Sequence, residues 1–189
     1  MEKNRCPWCL QDDLYVRYHD EEWGVPVRND RQLFELLILE GFQAGLSWYT
    51  ILKKRENFRA AFDGFEPEKI AQWDEAKIQA LLQDEGIVRS RQKIRATVRN
   101  AQAYLRLRAE QGSFAEFLWD FVGGAPLVNW PATMAEVPAK THESDRMSRA
   151  LKRQGFTYVG ATICYAFMQA TGMVDDHLVS CWRKQGASR

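Results

Sequence analysis

The chain has 189 residues and a formal net charge of +1, from 26 basic and 25 acidic side chains. A typical domain has about 150 residues, so we expect a single domain spanning residues 1–189. The near-zero charge excludes a basic arm or an acidic tail, and the 46% of hydrophobic residues excludes general disorder. No apolar run reaches the ~18 residues of a membrane span, and no apolar stretch of signal-peptide type follows the start. We therefore expect a cytoplasmic monomer that does not bind membranes.

Apolar side chains follow helical spacing along nearly the whole chain. The predicted helices begin near Asp30, Ser47, Pro67, Asp74, Ser90, Ser113, Ser144 and Val159, and a last one is capped by Asp175 or Asp176. No segment alternates apolar and polar residues over the length of a strand, so we predict no sheet of any size. The segment 123–141 contains three prolines and is predicted to be a long loop or a weak domain seam. The sequence thus predicts an all-α fold of about eight to ten helices.

Cysteine and histidine side chains lie near both ends of the chain. The five candidate metal ligands are Cys6, Cys9, His19, His177 and Cys181. The spacing of His177 and Cys181 would place both on one face of a helix. Four ligands make a closed, structural Zn²⁺ site, which would join the two ends of the chain. The alternatives are a chance pair of side chains, or a redox dithiol at Cys6 and Cys9, but the βαβ unit that such a dithiol needs is not predicted.

Seven basic and no acidic side chains lie between Arg89 and Arg108, so this segment carries a local charge of +7. A predicted helix that ends at Gly86 precedes it, which indicates a helix, a tight turn and a cation-rich helix. Free backbone N–H groups in such a turn can face a phosphate of DNA while neighbouring cations neutralise the next ones. The alternative is an ordinary solvated helix face.

Glu40 ends a strongly apolar predicted helix, where burying a carboxylate is costly unless it has partners or a function. Aromatic residues are concentrated in the same part of the chain: Trp8, Tyr15, Tyr18, Trp23 and Trp48. Rings around a carboxylate suit a flat, nitrogen-rich and preferably cationic ligand. The following turn, 43–47, is small and tight, and we expect Leu46 to be exposed at its tip. The alternative is an aromatic core with a peripheral glutamate.

These motifs together resemble the 3-methyladenine DNA glycosylase I family, nearly from end to end. The matching segments are Cys6–Trp8, Tyr15–Asp20, Glu22–Pro26, Leu39–Trp48, Leu52–Glu56, Gly86–Arg89, Phe156–Tyr165 and Asp176–His177. The segment Leu39–Trp48, with its Glu-Gly-x-Gln-Ala-Gly-Leu-Ser-Trp pattern, is the most specific of them. The resemblance implies a helix-hairpin-helix fold and hydrolytic removal of 3-methyladenine from alkylated double-stranded DNA, with the free base as product.

The resemblance also implies roles for individual residues. It implies one structural zinc ion at Cys6, His19, His177 and Cys181. Cys9 is not part of the family's metal set, and its exchange with Cys6 is the alternative left open. It implies a base pocket with Glu40 as the catalytic residue and Tyr18, Trp48, Trp8, Tyr15 and Trp23 as its substrate-binding residues. We expect DNA contacts from Gly45, Leu46, Gly86, Arg89, Arg91 and Lys93, with Leu46 filling the gap left by the extruded base.

Two other functions are consistent with parts of the sequence. A zinc-stabilised nucleic-acid-binding module without catalysis would explain the metal ligands and the basic helix, but not the aromatic residues around Glu40. A glycosylase with a wider pocket would also release 7-methylguanine. The first is distinguished by binding of free 3-methyladenine, and the second by the bases released from methylated DNA.

Overall fold

The computed structural model describes residues 3–185, so the ends of the predicted 1–189 domain lie outside it. Within that range the chain forms ten α-helices: α1 Asp13–Glu21, α2 Asp30–Gln43, α3 Trp48–Ala61, α4 Pro67–Ile70, α5 Glu75–Leu81, α6 Arg91–Gln111, α7 Phe114–Trp119, α8 His142–Arg153, α9 Ala161–Ala170 and α10 Trp182–Gln185. The prediction of a mostly helical fold with eight to ten helices is confirmed. Among residues 3–185, no helix combines the length and apolar character needed to cross a bilayer.

Most of the helices begin where short polar side chains can satisfy the free N–H groups of the first turn. The predicted caps that accept a hydrogen bond in this way are Ser47, Asp74, Ser90 and Ser113. Three predicted starts were wrong by one or two residues, and one of them is Val159, because α9 begins at Ala161. Asn29 caps α2, so Asp30 is its first residue. Thr141 caps α8, and Ser144 bonds back to the Thr141 N–H as the third helical residue.

The prediction of no sheet was wrong, because two short segments pair in parallel. They are β1, Leu127–Val128, and β2, Val174–Asp175. Strands of two residues are too short to produce an alternating pattern, so only tertiary pairing reveals them. Asp175 therefore lies in a strand and caps no helix, contrary to the prediction, and Asp176 follows it in irregular chain. The segment 123–141 is mostly irregular, as predicted, apart from β1 and a 3-10 turn at Met134–Glu136.

Helix α2 lies at the centre of the described fold and packs against α3, α6, α7 and α9. Its buried residues run continuously through its second half, from Leu37 to Phe42. A cluster of phenylalanines covers one side of its end, where the rings of Phe42 and Phe58 are 4.9 Å apart. This packing carries Glu40 into the interior, because the last turn of α2 is enclosed on most sides.

Candidate active site

A cavity of about 310 Å³ lies beside the last turn of α2. Its lining residues are Trp8, Tyr15, Tyr18, Trp23, Glu40, Gln43, Trp48, Met134, Val137, Pro138, Ala139, Thr162, Tyr165, Ala166 and Gln169. Every residue predicted for the base pocket is therefore present in one cavity. Its volume is at the lower end of the range for small-ligand pockets, which suits a single planar ring system.

Two buried polar atoms of this cavity have no hydrogen-bond partner among the described residues. They are Oε2 of Glu40, whose side chain is 3% exposed, and the indole Nε1 of Trp48, at 8%. Leaving a buried acceptor or donor unpaired costs about 1–3 kcal/mol, so such groups are uncommon without a ligand to satisfy them. The cavity thus offers one unused acceptor and one unused donor to a bound molecule.

The carboxyl group of Glu40 is taken out of water without a cation beside it in the described structure. Desolvation raises its pKa to about 8, so the group holds its proton near neutrality when the cavity contains no ligand. A positively charged ligand would favour the ionised carboxylate, because opposite charges attract strongly in a cavity from which water is excluded. The site is therefore better suited to a cation than to a neutral molecule.

The aromatic side chains form connected walls around this carboxyl group. Trp8 lies at the junction, with its ring centroid 4.9 Å from both Tyr15 and Trp23. The rings of Tyr18 and Trp48 are 5.5 Å apart on the side of α2 and α3. Edge-on and tilted contacts of this kind fix ring orientation. The alternative of an aromatic core with a peripheral glutamate is excluded, because Glu40 is buried among the rings that line the cavity.

Sequence reasoning missed the opposite wall of the cavity. Part of it comes from 134–139, within the segment that carried no functional pattern, and part from α9. Asp176 fastens the α9 side, because Tyr165 Oη and Gln169 Nε2 donate to its Oδ2 at 2.5 and 2.8 Å. Asn129 donates to the other oxygen at 2.8 Å, which ties the long loop to the same carboxylate. The conspicuous Asp176–His177 motif was the one available indication of this role.

The raised pKa of Glu40 predicts a stability effect that depends on pH. The folded state keeps this proton up to about pH 8, whereas the unfolded state loses it near pH 4.3, so this group lowers the free energy of unfolding as pH rises between those values. Glu40→Gln removes the ionisation. We expect its stability relative to wild type to rise by ~2–4 kcal/mol between pH 5 and pH 8 in urea unfolding. A stability difference between Glu40→Gln and wild type that stays constant over this pH range would contradict the prediction.

The turn 43–47 links the cavity to the protein surface. Leu46 is 43% exposed at its tip, as predicted. Gly45 has φ +81°, a left-handed conformation that glycine adopts without steric cost. Ser47 closes the turn by capping α3. An apolar side chain is thus held in solvent within a few residues of Glu40 and Trp48.

The predicted helical hairpin is present as α5, a turn at 82–90 and α6. Part of its turn is engaged internally, since the Gly86 N–H donates to Asp84 Oδ1 at 2.8 Å. The backbone N–H groups of Val88 and Arg89 make no hydrogen bond within residues 3–185. Two α3 side chains, Lys54 and Asn57, donate to the carbonyls of Glu85 and Gly86 and brace the turn. The free N–H groups therefore lie two to three residues after the glycine.

The segment from Arg89 to Arg108 carries less uncompensated positive charge than its sequence indicates. Arg91 and Arg95 both pair with Glu75 of α5, at 3.2 and 2.6 Å. Arg89 has only a long contact, 3.7 Å, with the exposed Glu85. Acidic residues distant in sequence thus neutralise part of the local charge, which leaves Arg89 as the least engaged of the predicted DNA-contacting cations. Lys93 is half-buried, and its ammonium donates to the backbone carbonyls of Phe42 and Ala44.

Three of the predicted metal ligands lie together and are buried. The ligand atoms of Cys6, His19 and Cys181 all lie within 4.8 Å of one another. Cys181 Sγ and His19 Nε2 are 3.5 Å apart, close to the ~3.6 Å between sulfur and nitrogen ligands of tetrahedral Zn²⁺. The hydrogen bond from the Cys6 thiol lowers the pKa of Cys181 below the ordinary thiol value, which favours the thiolate that metals bind.

His177 lies beside this group, with its ring 5.1 Å from that of His19. Its buried Nε2 has no partner within the described chain, and its Nδ1 is 2.8 Å from Asp175 Oδ1. His19 has the same arrangement, with Nδ1 2.8 Å from Asp20. A carboxylate on Nδ1 leaves the Nε2 lone pair for a metal, which is the usual arrangement around histidine ligands. The predicted helix through His177 and Cys181 is wrong, because both lie in irregular chain between β2 and α10.

Cys9 lies outside the three-residue group although it is buried. Its thiol donates to the backbone carbonyl of Cys6 at 3.2 Å.

The cavity and the metal-ligand cluster are adjacent, since the Trp23 ring is 4.6 Å from His177 and 4.9 Å from Trp8. Gly24 permits this approach, because a Cβ there would lie 2.7 Å from the His177 ring. Fixing His177 in one position therefore also restricts the rings of Trp23 and Trp8 in the cavity wall.

The site places aromatic rings and a buried carboxyl group around one small cavity, an arrangement typical of proteins that bind flat, nitrogen-bearing ligands. The family model described as methyladenine glycosylase matches residues 8–184. The chain is 52% identical over 177 residues to DNA-3-methyladenine glycosylase 1 of Escherichia coli (strain K12), covering 94% of this chain and 95% of that protein.

Solved structures show the same similarity. A crystal structure of 3-methyladenine DNA glycosylase I has a TM-score of 0.93 and 51% identity, covering 95% of this chain and 98% of that one. A tyrosine-to-phenylalanine variant of 3-methyladenine DNA glycosylase I in complex with 3-methyladenine has a TM-score of 0.92 and 39% identity, with coverage of 96% and 97%. The chain belongs to the methyladenine glycosylase family.

Proposed function

We propose that this protein is a base-excision repair enzyme that hydrolyses the N-glycosidic bond of 3-methyladenine in alkylated DNA. The observation that carries the proposal is the buried, unpartnered Oε2 of Glu40 inside a ring-lined cavity. The family membership and the relatives' activity support it. A binding module without catalysis has no use for this carboxyl group.

Methylation at N3 makes the purine cationic and weakens its bond to the sugar. The enzyme must extrude the nucleotide, at a cost of a few kcal/mol, and hold the base where water reaches C1′. The C1′–N9 bond then breaks with its electron pair moving to the base, water oxygen bonds C1′, and a proton is released. The products are neutral 3-methyladenine and an abasic site.

We assign the recognition of the base to Glu40, Tyr18 and Trp48. The Glu40 carboxylate accepts a hydrogen bond from the exocyclic amine and complements the positive charge, which favours adenine over guanine. Tyr18 and Trp48 line the slot on one side, and Trp8, Tyr15 and Trp23 form the other aromatic wall. A charge-assisted hydrogen bond in such a dry site is worth about 1.5–3 kcal/mol.

We assign the DNA contacts to the exposed turn 43–47 and to the hairpin of α5 and α6. We propose that this hairpin is a helix-hairpin-helix unit and that the chain forms a single glycosylase domain. Leu46 fills the gap left by the extruded base. The N–H groups that follow Gly86 bind a backbone phosphate, and Arg89 neutralises its neighbour. Arg91 is held by Glu75 at 3.2 Å and contributes less.

We assign one structural zinc ion to Cys6, His19, His177 and Cys181. The support is the buried group of three ligand atoms together with the unpartnered Nε2 of His177. These four side chains would hold the ion between segments from the two ends of the chain, where it would serve a structural role. Its neighbours Trp23 and Trp8 then keep a fixed orientation in the pocket.

The function is tested by measuring which bases wild-type protein releases from methylated duplex DNA. We expect rapid release of 3-methyladenine and little release of 7-methylguanine, because the pocket is small and its carboxylate pairs with an amine at the adenine position. Comparable release of both bases indicates the wider-pocket glycosylase. DNA binding without release of either base indicates the non-catalytic module.

A further inference from the structure

The basic side chains just before and at the start of α6 have different environments, which their sequence does not show. Arg89 and Arg91 are exposed, whereas the Lys93 ammonium donates to two backbone carbonyls, Phe42 O at 2.9 Å and Ala44 O at 2.6 Å. A lysine that serves as a phosphate contact keeps its charge in solvent. Lys93 instead places its charge at the end of the helix that bears Glu40.

The position of this ammonium follows from the hydrogen bonds that a helix end requires. The last carbonyls of a helix have no partner within it and carry a partial negative charge. At the end of α2, Gly41 O accepts from the Ala44 N–H and Gln43 O accepts from the Leu46 N–H. Phe42 O and Ala44 O are left, and Lys93 Nζ satisfies both. Every carbonyl from Gly41 to Ala44 is thereby paired.

We propose that Lys93 is a positioning residue that fixes the turn 43–47 between Glu40 and the DNA. Its two hydrogen bonds join the hairpin helix α6 to the turn that carries Leu46. Docking of the hairpin on DNA then places Leu46 and the pocket mouth in a defined position relative to the duplex. This inference rests on the role proposed for Leu46, and it changes Lys93 from a direct DNA contact into a link between two DNA-facing elements.

The proposal is tested with Lys93→Met, which keeps an unbranched side chain only one atom shorter and removes its charge and donors. We expect single-turnover release of 3-methyladenine from methylated duplex DNA to fall about tenfold. Affinity for free 3-methyladenine, followed by tryptophan fluorescence, should stay within about twofold of wild type, because the pocket walls do not include Lys93. Lys93→Arg, which retains charge and donors, should recover most of the rate.

The salt dependence of DNA binding separates positioning from phosphate contact. Losing one phosphate contact lowers the slope of log K against log salt by ~0.9. We expect Lys93→Met to leave this slope unchanged, while Arg89→Met lowers it. Wild-type excision by Lys93→Met, or a slope lowered as in Arg89→Met, would overturn the proposal. If Lys93→Met does not fold, Lys93→Gln replaces it as a shorter neutral side chain that keeps an amide donor, and we expect an unchanged slope with a partial loss of rate.

A double variant tests whether Lys93 acts through the turn. If it does, the Leu46→Ala/Lys93→Met double variant should release the base no more slowly than Leu46→Ala alone. Once the Leu46 side chain is absent, holding the turn in position no longer speeds the release. Multiplied losses would contradict the link. Release by the wild-type protein is measured before that of any variant. A wild-type protein that releases no 3-methyladenine would refute the proposed function rather than the role of Lys93.

Discussion

Replacing Glu40 with glutamine or alanine is expected to lower single-turnover release of 3-methyladenine from methylated DNA by about 10- to 100-fold. This range corresponds to the ~1.5–3 kcal/mol of a hydrogen bond to a charged group. Glutamine retains an oxygen acceptor but cannot balance the positive charge of the base. Alanine loses both and opens a gap in the pocket, so we expect the larger loss for alanine.

The matched control is Glu21→Gln, which removes an exposed carboxylate on α1, the helix that also carries Tyr15 and Tyr18. It should excise the base at the wild-type rate. Tryptophan fluorescence with free 3-methyladenine shows whether the Glu40 variants keep an intact pocket. Wild-type excision rates in Glu40→Gln would remove the role assigned to this carboxyl group.

Removing the metal is expected to destabilise the folded protein by about 4 kcal/mol, the gain from a ligand present at 1,000 times its dissociation constant. For a chain of this size the melting temperature should then fall by roughly 10 °C. Freshly purified protein should contain about one equivalent of zinc. Chelation and Cys181→Ala should produce similar shifts, since both open the cluster of Cys6, His19 and Cys181.

Cys164→Ala is the matched control for this experiment. Cys164 is also fully buried, but it lies in α9 and its thiol donates to the Val159 carbonyl at 3.4 Å. Its replacement should leave the zinc content unchanged and lower stability only modestly. Less than half an equivalent of zinc in wild-type protein, or a melting temperature unaffected by chelation, would refute the metal assignment. Zinc retained in Cys6→Ala but lost in Cys9→Ala would assign the ligand to Cys9 instead of Cys6.

Local patterns in the sequence were sufficient for most of the helices and for singling out the acid and the rings of the pocket. Helix positions depend on short-range spacing and on capping side chains such as Ser47 and Asp74, which act on N–H groups two or three residues away. The aromatic residues and Glu40 were found because an acid in an apolar segment is costly to bury. Their meeting in one cavity was predicted from the family resemblance and not from spacing.

Charge balance and partners across the fold could not be predicted in this way. Glu75 pairs with Arg91 and Arg95, which are 16 and 20 residues away, and so removes part of the predicted basic stripe. Lys93 has its carbonyl partners about 50 residues away, in a segment whose sequence gives no indication of them. Such contacts depend on how helices cross, and periodicity within one helix carries no information about that.

Residue patterns along the chain identified its helical character, the pocket acid and rings, and the candidate metal ligands. The folded structure was needed to show that 134–139 and α9 close the pocket, that Asp176 fastens this wall, and that Lys93 donates to the turn 43–47. The difference lies in the range of the interactions. Helix formation and capping act between neighbours along the chain, whereas a wall, an ion pair or a carbonyl partner is chosen by packing among segments far apart in sequence.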